Sequence, residues 1–312
     1  MHTATKYIFL INPTSGNGNS TKIWDKLKTY LEAQQVNYSA YYSTSLQDFC
    51  THFQKLAQQK SSHQLVILGG DGTLYAALNC LHFPTNLAIP LAYIPCGSGN
   101  DFAKAAKIAT DPLQALKHLL ESPIEKKLAL GYYQYPKKEG VFSNNFGLGF
   151  DARIVTLANN SAIKRSLNKF HLGKFSYATL FFKALWQQKN FEITVELPHQ
   201  KPKKIKHAFL CTITNQPYFG GGFAVAPTAD LAEKKLDLVV LENINWLKFI
   251  WLFLLLILPG KLWFKPKSLQ HFKATHFKIH TTTAQPVQIN GETLQLEPTT
   301  LNFQVVTQKF IF

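Results

Sequence analysis

The 312-residue chain has little arginine and few acids. Arg153 and Arg165 are its only arginines, and 33 basic residues outweigh 18 acidic ones to give a formal net charge of +15. Such a charge attracts anionic lipid, phosphorylated small molecules or nucleic acid. Lysine lacks the planar fork with which arginine reads base edges, so no sequence-specific nucleic-acid partner is expected.

Cysteine is also scarce. The four cysteines, Cys50, Cys80, Cys96 and Cys211, have no CxxC spacing, so neither a zinc site nor a disulfide framework is expected. The first ten residues carry only a short apolar run followed by turn residues, which predicts a strand rather than a signal peptide. These patterns favour a protein of the reducing cytoplasm.

No apolar run is long enough to cross a membrane. The longest, residues 249–258, is about half of the ~20 residues that a spanning helix needs. Tryptophans and lysines flank it: Trp246, Lys248, Trp251, Lys261, Trp263, Lys265 and Lys267. This composition predicts an interfacial segment that associates peripherally with the anionic inner face of the membrane, and a buried core helix is the alternative.

Periodicity divides the chain into an α/β part and a β-rich part. Apolar runs at 7–11, 38–42, 65–68 and 88–94 alternate with helical periods, which predicts a parallel sheet with helices on both faces. The helical periods lie near 21–34, 46–58, 73–80, 100–107 and 112–120.

From about residue 128, alternating runs bounded by proline, glycine and asparagine predict a mainly antiparallel sheet. These runs lie at 191–197, 205–214, 236–241, 277–283, 287–290 and 301–306, with helices near 151–158 and 175–187. We expect domains at residues 1–127 and 128–308.

Three of the four loops that follow the parallel strands are rich in glycine. They are NPTSGNG (12–18), GGDGT (69–73) and PCGSGND (95–101), and each leads into a helix. Glycine lets backbone amides approach an anion, and a helix N-terminus adds positive potential. Neither GxxxxGK[ST] nor GxGxxG occurs, so we expect backbone amides and small polar side chains to hold a nucleotide's phosphates.

Asp71 lies inside the second of these loops. A carboxylate in a phosphate-binding loop repels its ligand unless it holds Mg²⁺ or accepts a proton, and phosphoryl transfer requires both tasks. Asp101, in the third loop, is instead expected to cap its helix.

Six segments together resemble the diacylglycerol kinase catalytic-domain family, which includes bacterial lipid kinases and sphingosine and ceramide kinases. In family order they are NPTSG (12–16), GGDGT (69–73), PCGSGNDFAKA (95–105), NNFGLGFDA (144–152), YFGGGFAVAP (218–227) and INGE (289–292). GGDGT alone is shared with NAD kinases, whereas its combination with NPTSG and GSGNDFA is specific to lipid kinases.

The resemblance implies a Rossmann-like N-terminal domain of the NAD-kinase and lipid-kinase type and a C-terminal β-sandwich-like lipid-binding domain. The active site lies in the cleft between them, and residues 309–312 return to the first domain. ATP, Mg²⁺ and a lipid substrate are implied, with a diacylglycerol-like acceptor favoured and a homodimer left open. The implied nucleotide contacts are Asn12, Ser15, Gly16, Thr44, Gly69, Gly70, Gly72, Thr73, Gly97, Ser98, Gly99 and Asn100.

The chain departs from the family at several acids. Asn290 replaces the usual aspartate of the final motif, and an amide cannot act as a base. Ala76 and Ala129 stand where a glutamate and an aspartate are common, and Ala232-Glu233-Lys234 replaces an Asp-Asp-Gly of an accessory Mg²⁺ site. Asp71 and Glu233 remain as metal ligands, and Asp71 and Glu292 remain as catalytic carboxylates beside Asn290.

Several interpretations stay open. In the first, the chain is a lipid kinase in which Asp71 or Glu292 serves as base. In the second, it binds nucleotide and lipid with feeble or absent catalysis. An NAD kinase would explain GGDGT but not the apolar segment, and a basic lipid- or nucleic-acid-binding module would leave the three glycine loops unexplained.

Overall fold

The structure is a computed structural model that describes residues 5–59, 63–81, 89–159, 182–219, 223–245, 247–248 and 268–312. The predicted interfacial run at 249–258 lies outside these residues, as do its flanking residues Trp246, Lys261, Trp263, Lys265 and Lys267. Of the helix predicted at 175–187, residues 182–187 are described and are helical.

The N-terminal part is an α/β layer built on four parallel strands. These are β1 (Lys6–Ile11), β2 (Tyr38–Tyr42), β3 (His63–Gly69) and β4 (Leu91–Pro95), adjacent in the order β4-β3-β1-β2. The helices are α1 (Asn19–Ala33), α2 (Leu46–Ala57), α3 (Asp71–Cys80), α4 (Asp101–Ala106) and α5 (Pro112–Glu121). The predicted parallel α/β architecture is confirmed.

Two of these helices begin where local chemistry favours a start. Ser45 accepts a hydrogen bond from the backbone N–H of Asp48 at 3.1 Å and so caps α2. Asp111 accepts one from the N–H of Gln114 at 2.9 Å, and Pro112 fills the first position of α5, where a missing N–H costs nothing.

The rest of the chain is mainly antiparallel, as the sequence predicted. Its elements, in chain order, are β5 (Glu125–Tyr135), β6 (Lys138–Phe142), β7 (Asn145–Gly149), α6 (Phe150–Asn159), β8 (Phe191–Glu196), β9 (Lys203–Thr214), β10 (Tyr218–Phe219), β11 (Phe223–Ala224), β12 (Leu236–Glu242), β13 (Leu269–Ala274), β14 (His276–Thr281), β15 (Gln285–Ile289), β16 (Glu292–Leu296) and β17 (Thr300–Ile311).

The last strand joins the two parts into one sheet. β17 pairs antiparallel with β14 and with β5, and its end pairs parallel with β4 through Phe310 and Leu91. Phe310 and Phe312 are buried in the core of the α/β layer. A second core fills the antiparallel part, and it includes Tyr75 of α3. The helix that follows the GGDGT loop therefore packs against both parts.

The expectation that no disulfide forms was wrong. Cys50 of α2 and Cys80 of α3 form a disulfide with their Cα atoms 5.2 Å apart, while Cys96 and Cys211 are free and buried. The spacing of 30 residues carried no signal, because only the side-by-side packing of α2 and α3 brings the two thiols together. The cysteines therefore no longer support a reducing compartment.

Among the helices of the described residues, none has the length and apolar character required to cross a membrane.

Candidate active site

The three glycine loops meet at the carboxyl ends of β1, β3 and β4. A Cβ on Gly97 would lie 2.7 Å from the Cα of Gly70, and one on Gly16 would lie 2.3 Å from the carbonyl oxygen of Cys96. Gly16 also has a φ of +60°, which favours glycine. The second and third loops thus touch backbone to backbone, and the first rests on the third.

Polar side chains tie the first loop to the second. The Asn12 amide donates to the Thr73 hydroxyl at 3.2 Å, and the Ser15 and Thr73 hydroxyls lie 2.8 Å apart. Asn12 also accepts hydrogen bonds from the N–H and hydroxyl of Thr14. These bonds fix the loops before any ligand binds.

Asp71 is half-buried at the junction of the second and third loops. Its two oxygens accept hydrogen bonds from the N–H groups of Asp101 and Phe102, each at 3.1 Å. Burial raises the pKa of Asp71, and these two hydrogen bonds and the nearby Asn144 side chain oppose that shift. The carboxylate therefore caps α4 from another element and is held in one orientation.

The prediction that Asp101 caps its own helix was wrong. Asp101 is the first residue of α4, Asn100 before it makes no side-chain cap bond, and Asp71 supplies the acceptor instead. Oδ1 of Asp101 lies 3.6 Å from Nζ of Lys104, one turn along the same helix.

Asn144 connects Asp71 to the turn between β15 and β16. Its side chain lies near enough to Asp71 to lower the pKa of that carboxyl, and its backbone N–H donates to Oδ1 of Asn290 at 3.0 Å. The same Oδ1 accepts from the N–H of Asn145 at 3.3 Å, and the Asn290 amide donates to the Ser143 hydroxyl at 3.0 Å. Asn290 has a φ of +49°, a conformation that asparagine tolerates better than most residues. Its side chain is thus fully used in holding β7 against this turn.

A cavity of about 680 Å³ opens beside the loops, a size suited to a small-molecule ligand. The residues that line it come from the first two glycine loops, from the loop between β2 and α2, from α2, α3 and β6, and from the start of β16. They are Asn12, Thr14, Ser43, Thr44, Ser45, Leu46, Gln47, Phe49, Cys50, Gln54, Gly72, Thr73, Tyr75, Ala76, Asn79, Cys80, Lys138, Glu139 and Glu292.

The predicted nucleotide contacts divide into two groups around this cavity. Asn12, Thr44, Gly72 and Thr73 line it. The others lie in the glycine loops without lining it, namely Ser15, Gly16, Gly69, Gly70, Gly97, Ser98, Gly99 and Asn100. Ala76, where a glutamate is common in the family, lines the cavity wall.

Among the predicted catalytic residues, Glu292 alone lines the cavity. Its side chain is exposed, and within the described residues its carboxylate makes no hydrogen bond or ion pair. Asp71 lies one residue before the cavity-lining Gly72, and Asn290 lies two residues before Glu292. Asn144 thus lies between Asp71 and Asn290, and the turn that begins at Asn290 carries Glu292.

The residues near the loops offer few ligands for a metal ion. Within the described ranges, no group of three histidine, cysteine or acidic side chains is close enough to hold one. Glu233, the second predicted ligand, accepts from the Lys273 ammonium at 2.7 Å and is thus already paired with a cation. Asp71 uses two of the roughly four lone-pair positions of a carboxylate for the N–H groups of Asp101 and Phe102, which leaves others for an ion or its water.

Sequence reasoning missed several residues of this site. Asn144 stood within the NNFGLGFDA segment, where a polar pair before a glycine-rich strand was the available signal. Asn79 and Lys138 carried no signal, because they reach the cavity only through the packing of β6 on α3.

The chain matches two family models in succession. Residues 6–130 match the diacylglycerol kinase catalytic domain, and residues 145–309 match the YegS C-terminal NAD kinase beta sandwich-like domain. Together they span both parts of the fold.

Named proteins resemble the chain over nearly its whole length. The "Putative lipid kinase YtlR" of Bacillus subtilis (strain 168) is 28% identical over 302 residues, which are 94% of each chain. A diacylglycerol kinase of Staphylococcus carnosus (strain TM300) is 26% identical over 284 residues, or 91% of this chain and 87% of that one. The crystal structure of a "putative diacylglycerol kinase" from Bacillus anthracis str. Sterne has a TM-score of 0.75 at 20% identity, covering 99% of this chain and 95% of that one. At that identity, the structural likeness shows the fold alone.

Proposed function

The chain belongs to the diacylglycerol kinase-like family of lipid kinases, and from this premise we propose that it transfers the γ-phosphate of ATP to a lipid hydroxyl, with a diacylglycerol-like acceptor favoured. The observation that carries the proposal is the contact among three glycine loops beside a cavity that contains the carboxylate of Glu292. Phosphoryl transfer depends chiefly on positioning and electrostatics, which this arrangement offers.

In this proposal ATP lies across the first two loops and in the cavity. Backbone N–H groups of the loops and the hydroxyls of Thr14 and Thr73 face its phosphates, and Thr44 contacts its nucleoside end. The close approach of Gly70 to Gly97 leaves no space for side chains between the loops, so main-chain donors remain accessible to an anion.

Glu292 is our candidate for the base that takes the proton of the lipid hydroxyl. It lines the cavity, and its carboxylate has no competing partner among the described residues. Asp71 is a weaker candidate because two backbone N–H groups hold its oxygens, and the Asn290 amide has no proton-accepting form near neutral pH. Asp71 then acts by fixing the second loop against the third.

Mg²⁺ fits this site as an ion carried by the nucleotide rather than held in a protein cage. Such ions keep several waters and need only one or two carboxylates besides the phosphates. Asp71, with its free lone-pair position, is the residue that would hold it, and Mg²⁺ would neutralise charge on the transferring phosphate. Glu233 stays a prediction as an accessory ligand, although the ion would have to replace Lys273 there.

We also propose that the second part of the chain docks on an anionic membrane. Phe182, Trp186 and Leu247 are 54%, 88% and 59% exposed. Both of their segments pack on one small core cluster, through Leu185 and Ile244, so these side chains lie at the same end of the molecule. Exposed tryptophan and neighbouring lysines suit the headgroup layer of a membrane.

Sedimentation with vesicles tests this docking. Wild type is expected to sediment with anionic vesicles, Trp186→Ser to bind several-fold more weakly, and Tyr42→Ser, which removes an aromatic side chain exposed elsewhere, to behave as wild type. Indifference of wild type to the vesicles would refute membrane docking.

Transfer of label from [γ-³²P]ATP to a mixed lipid extract tests the kinase proposal. We expect a labelled, solvent-extractable lipid from wild type in the presence of Mg²⁺. Label recovered in NADP, when NAD is offered instead, would favour the NAD kinase alternative, and no labelled product of either kind would favour a binding protein.

A further inference from the structure

The glycine loops carry no positive side chain. Residues 12–18, 69–73 and 95–101 include two aspartates and no lysine or arginine. The nearest lysines along the chain, Lys22 and Lys104, do not line the cavity, and Lys104 is paired with Asp101. A nucleoside triphosphate carries more negative charge than one Mg²⁺ ion offsets, and these loops provide only backbone donors for the remainder.

Among the described residues that line the cavity, Lys138 is the one basic residue. It begins β6, opposite Tyr135 in the β5–β6 hairpin, and its side chain is exposed. Among the described residues its ammonium forms no ion pair. The two acids in the same wall are Glu139, which accepts a hydrogen bond from the Tyr132 hydroxyl, and Glu292.

Asn79 of α3 binds the backbone of this hairpin with its amide. Asn79 of α3 donates to the carbonyl of Val141 at 2.9 Å and accepts from its N–H at 3.0 Å, as a neighbouring strand would. A Cβ on Gly140 would lie 2.5 Å from Oδ1 of Asn79 and 2.7 Å from the Tyr133 hydroxyl. Glycine at this position therefore permits the close approach, which sets Lys138 at the cavity wall.

We propose that Lys138 binds the phosphate chain of the nucleotide and supplies the positive charge that the glycine loops lack. The proposal rests on the proposed function, since it requires that the cavity hold a nucleotide. Lysine suits this task as a point charge on a flexible stem, and charge-assisted hydrogen bonds to phosphate are among the stronger ones in proteins. The β5–β6 hairpin then contributes to nucleotide binding from outside the family motifs.

Equilibrium binding of ATP and of adenosine, by competition with a fluorescent nucleotide, tests the assignment on the full chain. Lys138→Met is expected to weaken ATP binding about tenfold, the loss of about one charge-assisted hydrogen bond, while adenosine affinity changes less than twofold. Lys138→Arg should retain most of the ATP affinity. Lys137→Met is the matched control, because Lys137 is exposed one residue away and does not line the cavity.

Equal ATP affinity in wild type and Lys138→Met would overturn the inference and leave the proposed function standing. An equal loss of ATP and adenosine binding would also overturn it, because a disturbed hairpin and not a missing charge would then be the cause. Failure of wild type itself to bind ATP would refute the proposed function, and with it this inference.

Discussion

At the scale of single residues, Asn290 shows how a chain can lose a family carboxylate and keep its local structure. Its Oδ1 accepts two backbone N–H groups, as one carboxylate oxygen could, and its amide adds a bond to Ser143. An aspartate could make the same contacts, because the Ser143 hydroxyl can turn to donate. The substitution therefore removes a candidate base without disturbing the turn that carries Glu292.

Glu292→Gln tests the role of the remaining carboxylate. Glutamine has the same shape but cannot take up a proton, so we expect kcat to fall by about 100-fold or more while KM for ATP changes little. Steady-state kinetics on lipid vesicles would measure both constants.

Glu297→Gln is the control for that experiment, because Glu297 is exposed just beyond β16 and does not line the cavity. It should behave as wild type. A Glu292→Gln enzyme with an unchanged kcat would exclude this residue as the base.

Asp151 also contributes to the turn between β15 and β16, through a hydrogen bond with Gln288. It is almost fully buried and accepts hydrogen bonds from the Thr212 hydroxyl at 2.9 Å and from Gln288 at 3.5 Å. Gln288 in turn accepts from the N–H of Gly291 at 2.9 Å. Burial raises the pKa of Asp151 to about 7, and the free thiol of Cys211 is the titratable group that faces it.

The raised pKa predicts a dependence of stability on pH. The folded protein holds this proton up to about pH 7, while the unfolded chain releases it near 3.8. The protonated Asp151 therefore adds its full contribution to the free energy of unfolding below about pH 4. That contribution is lost as pH rises to about 7, a change of at most about 4 kcal/mol. Urea unfolding at pH 5 and pH 8 should show a smaller loss of stability in Asp151→Asn than in wild type, and equal losses would contradict the assignment.

At the scale of elements, the Cys50–Cys80 disulfide joins α2 to α3 in the wall of the cavity. The cross-link closes a segment of 30 residues, which on a chain-entropy basis stabilises the fold by about 3–4 kcal/mol. Because α3 begins within the second glycine loop, the disulfide also restrains the position of that loop.

Replacing both cysteines with serine should therefore lower the melting temperature. We expect a reducing agent to lower the melting temperature of wild type toward that of the Cys50→Ser/Cys80→Ser variant and to leave the variant unchanged. Differential scanning calorimetry with and without the reductant would measure this. Equal melting temperatures in all four samples would show that the disulfide does not stabilise the protein.

The sequence predicted the elements of the α/β layer well because their signals are local. The bounds of β2 and the starts of α2 and α5 were placed correctly by periodicity, and the caps and the proline found in the structure explain why α2 and α5 begin there. The strands β5, β6, β7, β10, β11, β13 and β16 were not predicted. β5 and β7 are buried over most of their length and so lack the alternation that marks a half-exposed strand.

At the scale of the whole molecule, β17 makes one sheet of the two parts, and α3 contributes to both cores. The three glycine loops could be assigned to one site from sequence because the ends of parallel strands share an edge. The links from Asp71 through Asn144 to Asn290, and from Asn79 to Val141, join residues 60 or more positions apart. No local sequence pattern encodes contacts between residues so far apart, so the geometry of the cleft could be seen only in the structure.

The most direct test of the central claim, a lipid kinase that works without a carboxylate at position 290, is γ-phosphate transfer to diacylglycerol vesicles by wild type beside Asn290→Asp. We predict labelled lipid from wild type, with the variant folded and active as well. Labelled lipid from Asn290→Asp alone would contradict the account, because it would mean that the scaffold binds its substrates but lost its catalytic base with the aspartate.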